Sequence, residues 1–150
     1  MKEQYLKLAK KFNLPKFTEL DQYFSITELD EEKLSLKAIR KCMFEKLSHI
    51  LGDLQEILQP DTHFTSMYEA KTFSDSDREE LYIIFKTLKS IERESNLISI
   101  NETEIVTSAF IKSTFTTWKN ILPNIENFYK KLQEVWLKQD QSFEDNNYLG

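Results

Sequence analysis

Three side chains with metal-binding groups are spaced so that they share one face of a helix. Glu45, His49 and Asp53 stand at positions i, i+4 and i+8, which lie one above the other on a helix. Carboxylate and imidazole groups bind zinc or iron, so this spacing raises the hypothesis of a metal-binding or catalytic helical bundle. A diiron bundle carries Glu-x-x-His on two of its helices, a spacing that this sequence lacks. We therefore expect a solvated polar face at these three positions and keep the metal site as the alternative.

The sequence gives little support for a nucleophilic active site or for a nucleotide-binding site. Cys42, the one cysteine, follows Arg40 and Lys41, and cationic neighbours lower the pKa of a thiol. No helix start points at Cys42, however, so we expect a structural cysteine. The chain has only 2 glycines, which leaves no Gly-x-Ser-x-Gly turn for a hydrolase and no glycine-rich loop for a phosphate group. These observations argue against an enzyme and predict no cofactor.

Aromatic residues are unusually frequent, at 13% of the chain with 11 phenylalanines. Most phenylalanines fall on apolar stripes, so core packing explains them. Tyrosine and tryptophan at the edge of a stripe can anchor a protein interface. Five positions fit that description: Tyr23, Tyr68, Tyr82, Tyr129 and Trp136. They favour a non-enzymatic interaction or structural protein, whose partner is another protein or a second copy of this chain.

The charge balance argues against nucleic acid as a partner. The net charge is −5, whereas a nucleic-acid binder carries a basic excess or a basic face. Two short basic stripes, around Lys33–Lys41 and Lys86–Arg93, are expected to be solvated faces with acidic neighbours. No run approaches the about 18 apolar residues that cross a bilayer, so no membrane is expected. A single cysteine and an amphipathic N-terminus without a signal-peptide pattern favour the cytoplasm.

The spacing of apolar residues predicts helices throughout the chain. Short helices are expected over 5–12 and 17–24, and a weaker one around 64–68. A long helix is expected over about 30–59, started by the capping-box spacing Ser25–Glu28 or by Asp30. Such a helix would be about 45 Å long, so we expect it to be the spine of the fold. Its apolar stripe consists of Leu36, Ile39, Met43, Leu47, Ile50, Leu54 and Ile57.

Two further helix starts are marked by capping residues. Ser74 with the acidic residues after it predicts a helix that ends at Asn96 or Asn101. The spacing Asn101–Glu104 predicts another helix start. The next segment is rich in serine and threonine, which are poor helix formers, but it lacks the two-residue alternation of a strand, so we predict a helix. Pro123 either bends that helix or begins another that runs to about 139.

Together these elements predict an all-α, single-domain, mostly antiparallel bundle of about four main helices plus short ones. The domain is expected to cover 1–139, followed by a polar C-terminal tail at 140–150. Two runs, KKFNLPKFTELD at 10–21 and EILQPD at 56–61, resemble small all-helical archaeal proteins to which no function is assigned. That resemblance implies a helical fold and carries no catalytic motif.

Overall fold

The computed structural model describes residues 2–138, and within this range it confirms the all-α fold. The described residues contain no strand; they form two 3₁₀ turns and six α-helices. The 3₁₀ turns are Ile26–Glu28 and Glu31–Lys33. The helices are α1 (Lys2–Phe12), α2 (Phe17–Phe24), α3 (Leu36–Leu58), α4 (Phe64–Ala70), α5 (Asp75–Ile100) and α6 (Glu104–Leu137). The predicted tail at 140–150 lies outside the described residues.

The three long helices α3, α5 and α6 form the bundle. Near the start of α3, Arg40 donates a hydrogen bond to Ser95 near the end of α5. Near the start of α5, Arg78 donates to the carbonyl oxygen of Ile57 at the end of α3. These contacts make α5 antiparallel to α3, and the short connection after Ile100 makes α6 antiparallel to α5. Helices α3 and α6 therefore run in the same direction.

The predicted stripe of α3 forms the centre of the core. All seven of its apolar residues are buried, and α3 packs against α2, α4, α5 and α6. The core cluster continues from Tyr5 in α1 to Phe128 in α6. Within residues 2–138 no helix is both long enough and apolar enough to cross a membrane.

The predicted start of α3 is wrong by six residues. Ser25 has φ 53° and ψ 46° and makes no side-chain cap, because a left-handed residue does not aim its hydroxyl at the amides that follow. Asp30 caps only a 3₁₀ turn. Ser35 is extended, its hydroxyl accepts from the amide of Ala38, and α3 begins at Leu36. With 23 residues, α3 is about 35 Å long, shorter than expected.

The serine- and threonine-rich segment is helical, as predicted, and α6 runs without interruption through Pro123. Its first residue follows Thr103, whose side chain accepts from the amide of Val106. Asn101 does not cap α6; it ends α5, at one of the two ends predicted for that helix. Several of the hydroxyl residues face the interior, which explains why a polar run packs well: Thr107, Ser108 and Thr114 are buried.

Candidate binding groove

The end of helix α2 sits in the groove between the parallel helices α3 and α6 through Phe24. Leu20 and Phe24 are the buried residues of α2. The thiol of Cys42 on α3 donates to the carbonyl oxygen of Phe24 at 2.9 Å. On the other side, the ring centroids of Phe24 and Trp118 on α6 lie 5.4 Å apart. The chain thus shows how a short amphipathic helix sits between α3 and α6.

Beyond the end of α2 the same groove is open. We call this part the open groove; its volume is about 600 Å³, within the range of binding sites, and it is lined by Gln22, Tyr23, Lys46, His49, Ile50, Trp118, Leu122, Ile125, Glu126, Tyr129, Lys130 and Gln133. Along α6 it extends from Trp118 to Gln133, about 22 Å at 1.5 Å per residue. Its floor is apolar, since Ile50, Trp118 and Ile125 are buried.

The rim of the open groove carries more positive than negative charge. Lys46 on α3 and Lys130 on α6 are exposed, and neither forms an ion pair with another residue between 2 and 138. Glu126 is the one acidic residue of the lining. A protein of net charge −5 therefore presents, on opposite walls of an apolar channel, two lysines that have no ion-pair partner among residues 2–138.

Tyr129 and Asp53 fasten α6 to α3 beside the groove. The Tyr129 hydroxyl donates to Oδ2 of Asp53 at 2.6 Å. Burial, together with this hydrogen bond, raises the pKa of Tyr129 well above its ordinary value of 10.0. The phenol therefore stays protonated near neutral pH and joins the two helices as a hydrogen-bond donor.

The structure brings together two of the three residues of the metal hypothesis. Nε2 of His49 lies 3.7 Å from Oδ2 of Asp53, the oxygen that Tyr129 already binds. Glu45 is exposed one turn earlier on α3. Among residues 2–138 no three His, Cys, Asp or Glu side chains are grouped so that they could hold a metal ion. The metal site stays a prediction, and the geometry adds no further ligand to it.

The five predicted interface residues fall on three surfaces. Tyr23 and Tyr129 are half-buried walls of the open groove. Tyr68 on α4 and Trp136 on α6 come together elsewhere, with ring centroids 4.8 Å apart. Tyr82 on α5 is 53% exposed and lines a separate hollow of about 690 Å³ between α3 and α5.

Two residues that the sequence suggested for chemistry have structural roles. Arg40, counted with a basic stripe, is 4% exposed, and its guanidinium donates two hydrogen bonds to the carboxylate of Glu102, at 2.8 and 2.9 Å. For the thiol of Cys42, burial and then the nearby charge of Glu45 raise the pKa. A protonated thiol bonded to a carbonyl is a poor nucleophile, so the structural interpretation of Cys42 fits its surroundings.

The sequence did not indicate that Lys46 and Lys130 share a groove or that Glu102 pairs with Arg40. Lys46 and Lys130 lie on different helices, and no local signal indicates that they face one channel. The partners Arg40 and Glu102 are 62 residues apart, so only the folded chain brings them together. The groove offers an apolar floor, a cationic rim and a tyrosine hydroxyl bonded to Asp53. No family model, curated protein or solved structure matches the chain.

Proposed function

We propose that this protein is a non-enzymatic interaction module whose open groove receives an amphipathic helix of an acidic protein partner. The observation that carries the proposal is the channel between α3 and α6, which Phe24 at the end of α2 enters. Beyond Phe24 the channel has an apolar floor and no occupant among residues 2–138.

The length of the open groove suits a helix. About 22 Å corresponds to four helical turns at 5.4 Å per turn. Amphipathic helices bind such grooves through apolar residues at i, i+3, i+4 and i+7. The spacing of Leu20 and Phe24 in α2 is i, i+4, so we expect the partner to present apolar side chains with the same interval.

The charge of the rim selects the partner. Lys46 and Lys130 flank the channel and have no ion-pair partner in the described part of the chain, so acidic residues on both sides of the partner's apolar stripe would complement them. Rim charges mainly direct association and specificity, whereas the apolar floor supplies most of the affinity. A basic or uncharged helix is expected to bind less tightly.

Site-specific photo-crosslinking tests the proposal. A benzophenone amino acid replaces Gln133 on the groove rim or, as the control position, the exposed Ser90 on α5. In extract from the source cells we expect an adduct from position 133 and none from position 90. Mass spectrometry of the adduct should identify a segment with apolar residues at helical spacing and acidic flanks.

A matched pair of charge variants completes the design. Lys46→Glu combined with Lys130→Glu should lower the adduct yield about tenfold, since two attractive charge contacts become repulsive. Lys41→Glu combined with Lys86→Glu changes the net charge equally outside the groove and should leave the yield unchanged. Equal loss in both variants, or an adduct that maps to a basic segment, would contradict the proposal. An adduct with a second copy of this chain would replace it with self-association.

A further inference from the structure

A second surface, formed by α4 and the end of α6, carries three aromatic rings, of which Phe64 and Trp136 are exposed and Tyr68 is half-buried. We call it the aromatic patch and define it as Phe64, Tyr68 and Trp136. The rings of Phe64 and Tyr68 stack with an interplanar angle of 16°, and the centroids of Tyr68 and Trp136 lie 4.8 Å apart. Trp136 is 47% exposed. An indole exposed to this degree, on a rigid support of packed rings, is typical of an interface anchor.

A carboxylate is fixed at the edge of this patch. The indole Nε1 of Trp136 donates to Oε2 of Glu69 at 2.9 Å. The other carboxylate oxygen of Glu69 has no hydrogen-bond or ion-pair partner within residues 2–138. The patch therefore presents, side by side, an accessible aromatic face with its negative π-electron density and an oxygen that carries negative charge.

Lysine ammonium groups lie over several aromatic rings elsewhere in the described part of the chain. Five rings of the described residues have a lysine ammonium group within 6.0 Å of their centroids, namely Phe12, Tyr82, Phe85, Phe115 and Phe73. The rings of Tyr68 and Trp136 have no lysine or arginine from residues 2–138 over them. The combination of the Trp136 ring and the Glu69 carboxylate thus lacks, among residues 2–138, the cation that its electrostatics favour.

We propose that the aromatic patch binds an arginine side chain of a protein partner. A guanidinium is planar, so it stacks on an indole face while one edge donates to a carboxylate. It is also less strongly hydrated than an ammonium group, which lowers the cost of leaving water. This second binding site is independent of the open groove, because its residues differ and it selects a cation where the groove selects acidic residues.

The two tryptophans allow a direct test by NMR. The indole N–H groups of Trp118 and Trp136 give separate ¹⁵N–¹H signals; Trp118 lines the open groove and Trp136 the aromatic patch. We titrate the intact protein with the probe acetyl-Gly-Arg-Gly-amide and, in parallel, with the lysine and citrulline analogues. The Trp136 signal should shift with the arginine probe, more weakly with lysine and not with uncharged citrulline. The Trp118 signal should stay in place.

Two variants make the test specific. Glu69→Gln keeps the shape of the side chain and removes its charge, and Tyr68→Leu removes the ring beside Trp136. Each should weaken binding of the arginine probe by about fivefold or more, as expected for one charge or one aromatic contact. An unchanged affinity in Glu69→Gln, equal shifts with citrulline or lysine, or a static Trp136 signal would overturn the proposal. Each of these outcomes leaves the crosslinking result at Gln133 untouched.

Discussion

Arg40 joins three parts of the bundle through its guanidinium. Two of its nitrogens donate to Glu102, between α5 and α6, and a third donates to Ser95 on α5. Thr107 on α6 donates to the same carboxylate at 2.8 Å. Because a buried ion pair gains little net free energy, its main contribution here is to fix the register of α3, α5 and α6 at this end of the molecule.

The first prediction concerns the acid sensitivity of this pair. The hydrogen bond from Arg40 is the main cause that holds the pKa of Glu102 below its ordinary 4.5. A carboxyl with a depressed folded-state pKa stabilises the protein above the unfolded-state value and loses that contribution as the pH falls through the folded-state value. At pH 7, Glu102→Gln should therefore cost roughly 3 kcal/mol, because it leaves a buried guanidinium uncompensated.

Urea denaturation of both proteins between pH 7 and pH 3 measures this effect. The difference in free energy of unfolding between the natural chain and Glu102→Gln should narrow below pH 4.5, where the carboxyl takes up its proton. Glu104→Gln, an exposed position two residues away, serves as the control and should leave stability nearly unchanged. A difference that is constant with pH would show that ionisation of Glu102 does not contribute to stability.

For single helices, short sequence patterns predicted the features that depend only on neighbouring residues. The start of α5 is confirmed in detail, since Ser74 and Asp77 exchange both hydrogen bonds of a capping box. The buried stripe of α3 follows from its 3-4 spacing. The start of α3 was misplaced because Ser25–Glu28 has the right spacing but the wrong backbone conformation at Ser25, and sequence spacing alone cannot report φ.

The open groove was beyond sequence reasoning for a physical reason. Its walls are α3 and α6, and the alignment of Lys46 with Lys130 depends on the relative register of two helices far apart in the chain. Periodicity identifies which face of each helix is apolar, and it says nothing about how far α2 extends along the channel. Tyr23 and Tyr129 were found by their place at the edge of a stripe, but their common groove was not.

Gly52 gives a prediction for α3. It lies inside the helix, is exposed, and a Cβ added there would have no neighbour within 4 Å. Gly52→Ala should therefore raise the free energy of unfolding by about 1 kcal/mol, because alanine loses less backbone entropy on helix formation. Chemical denaturation measures the change, with Glu56→Ala, one turn later on the exposed face, as a control expected within a few tenths of a kcal/mol. A loss of stability in Gly52→Ala would contradict the open surroundings of this position.

Across the whole molecule, α6 connects the two proposed surfaces. Trp118 and Trp136 are 18 positions apart on this one helix, about 27 Å at 1.5 Å per residue. Between them, Tyr129 binds Asp53 on α3 and Lys131 binds Asp77 on α5 at 2.6 Å. Polar contacts from neighbouring positions of α6 thus hold both α3 and α5 against it. One core cluster also runs from α1 to α6.

This continuity predicts that residues 1–139 unfold as one cooperative domain. Single-tryptophan variants isolate the two reporters: Trp136→Phe retains the indole at the groove, and Trp118→Phe retains the one at the aromatic patch. Trp118→Phe breaks no hydrogen bond, because the buried Nε1 of Trp118 has no partner among the described residues. Within each variant, tryptophan fluorescence and far-ultraviolet circular dichroism should give coincident denaturation curves.

The alternative is a weaker N-terminal unit. Helices α1 and α2 pack less extensively on the bundle than α3, α5 and α6 pack on one another, and Trp118 touches α2 through Tyr23 and Phe24. If α1 and α2 detached first, Trp118 fluorescence would change at a lower denaturant concentration than circular dichroism, whereas Trp136 fluorescence would follow the main transition. Early detachment of α2 would also lengthen the open groove toward Phe115, so the same curves decide whether the groove has one fixed length.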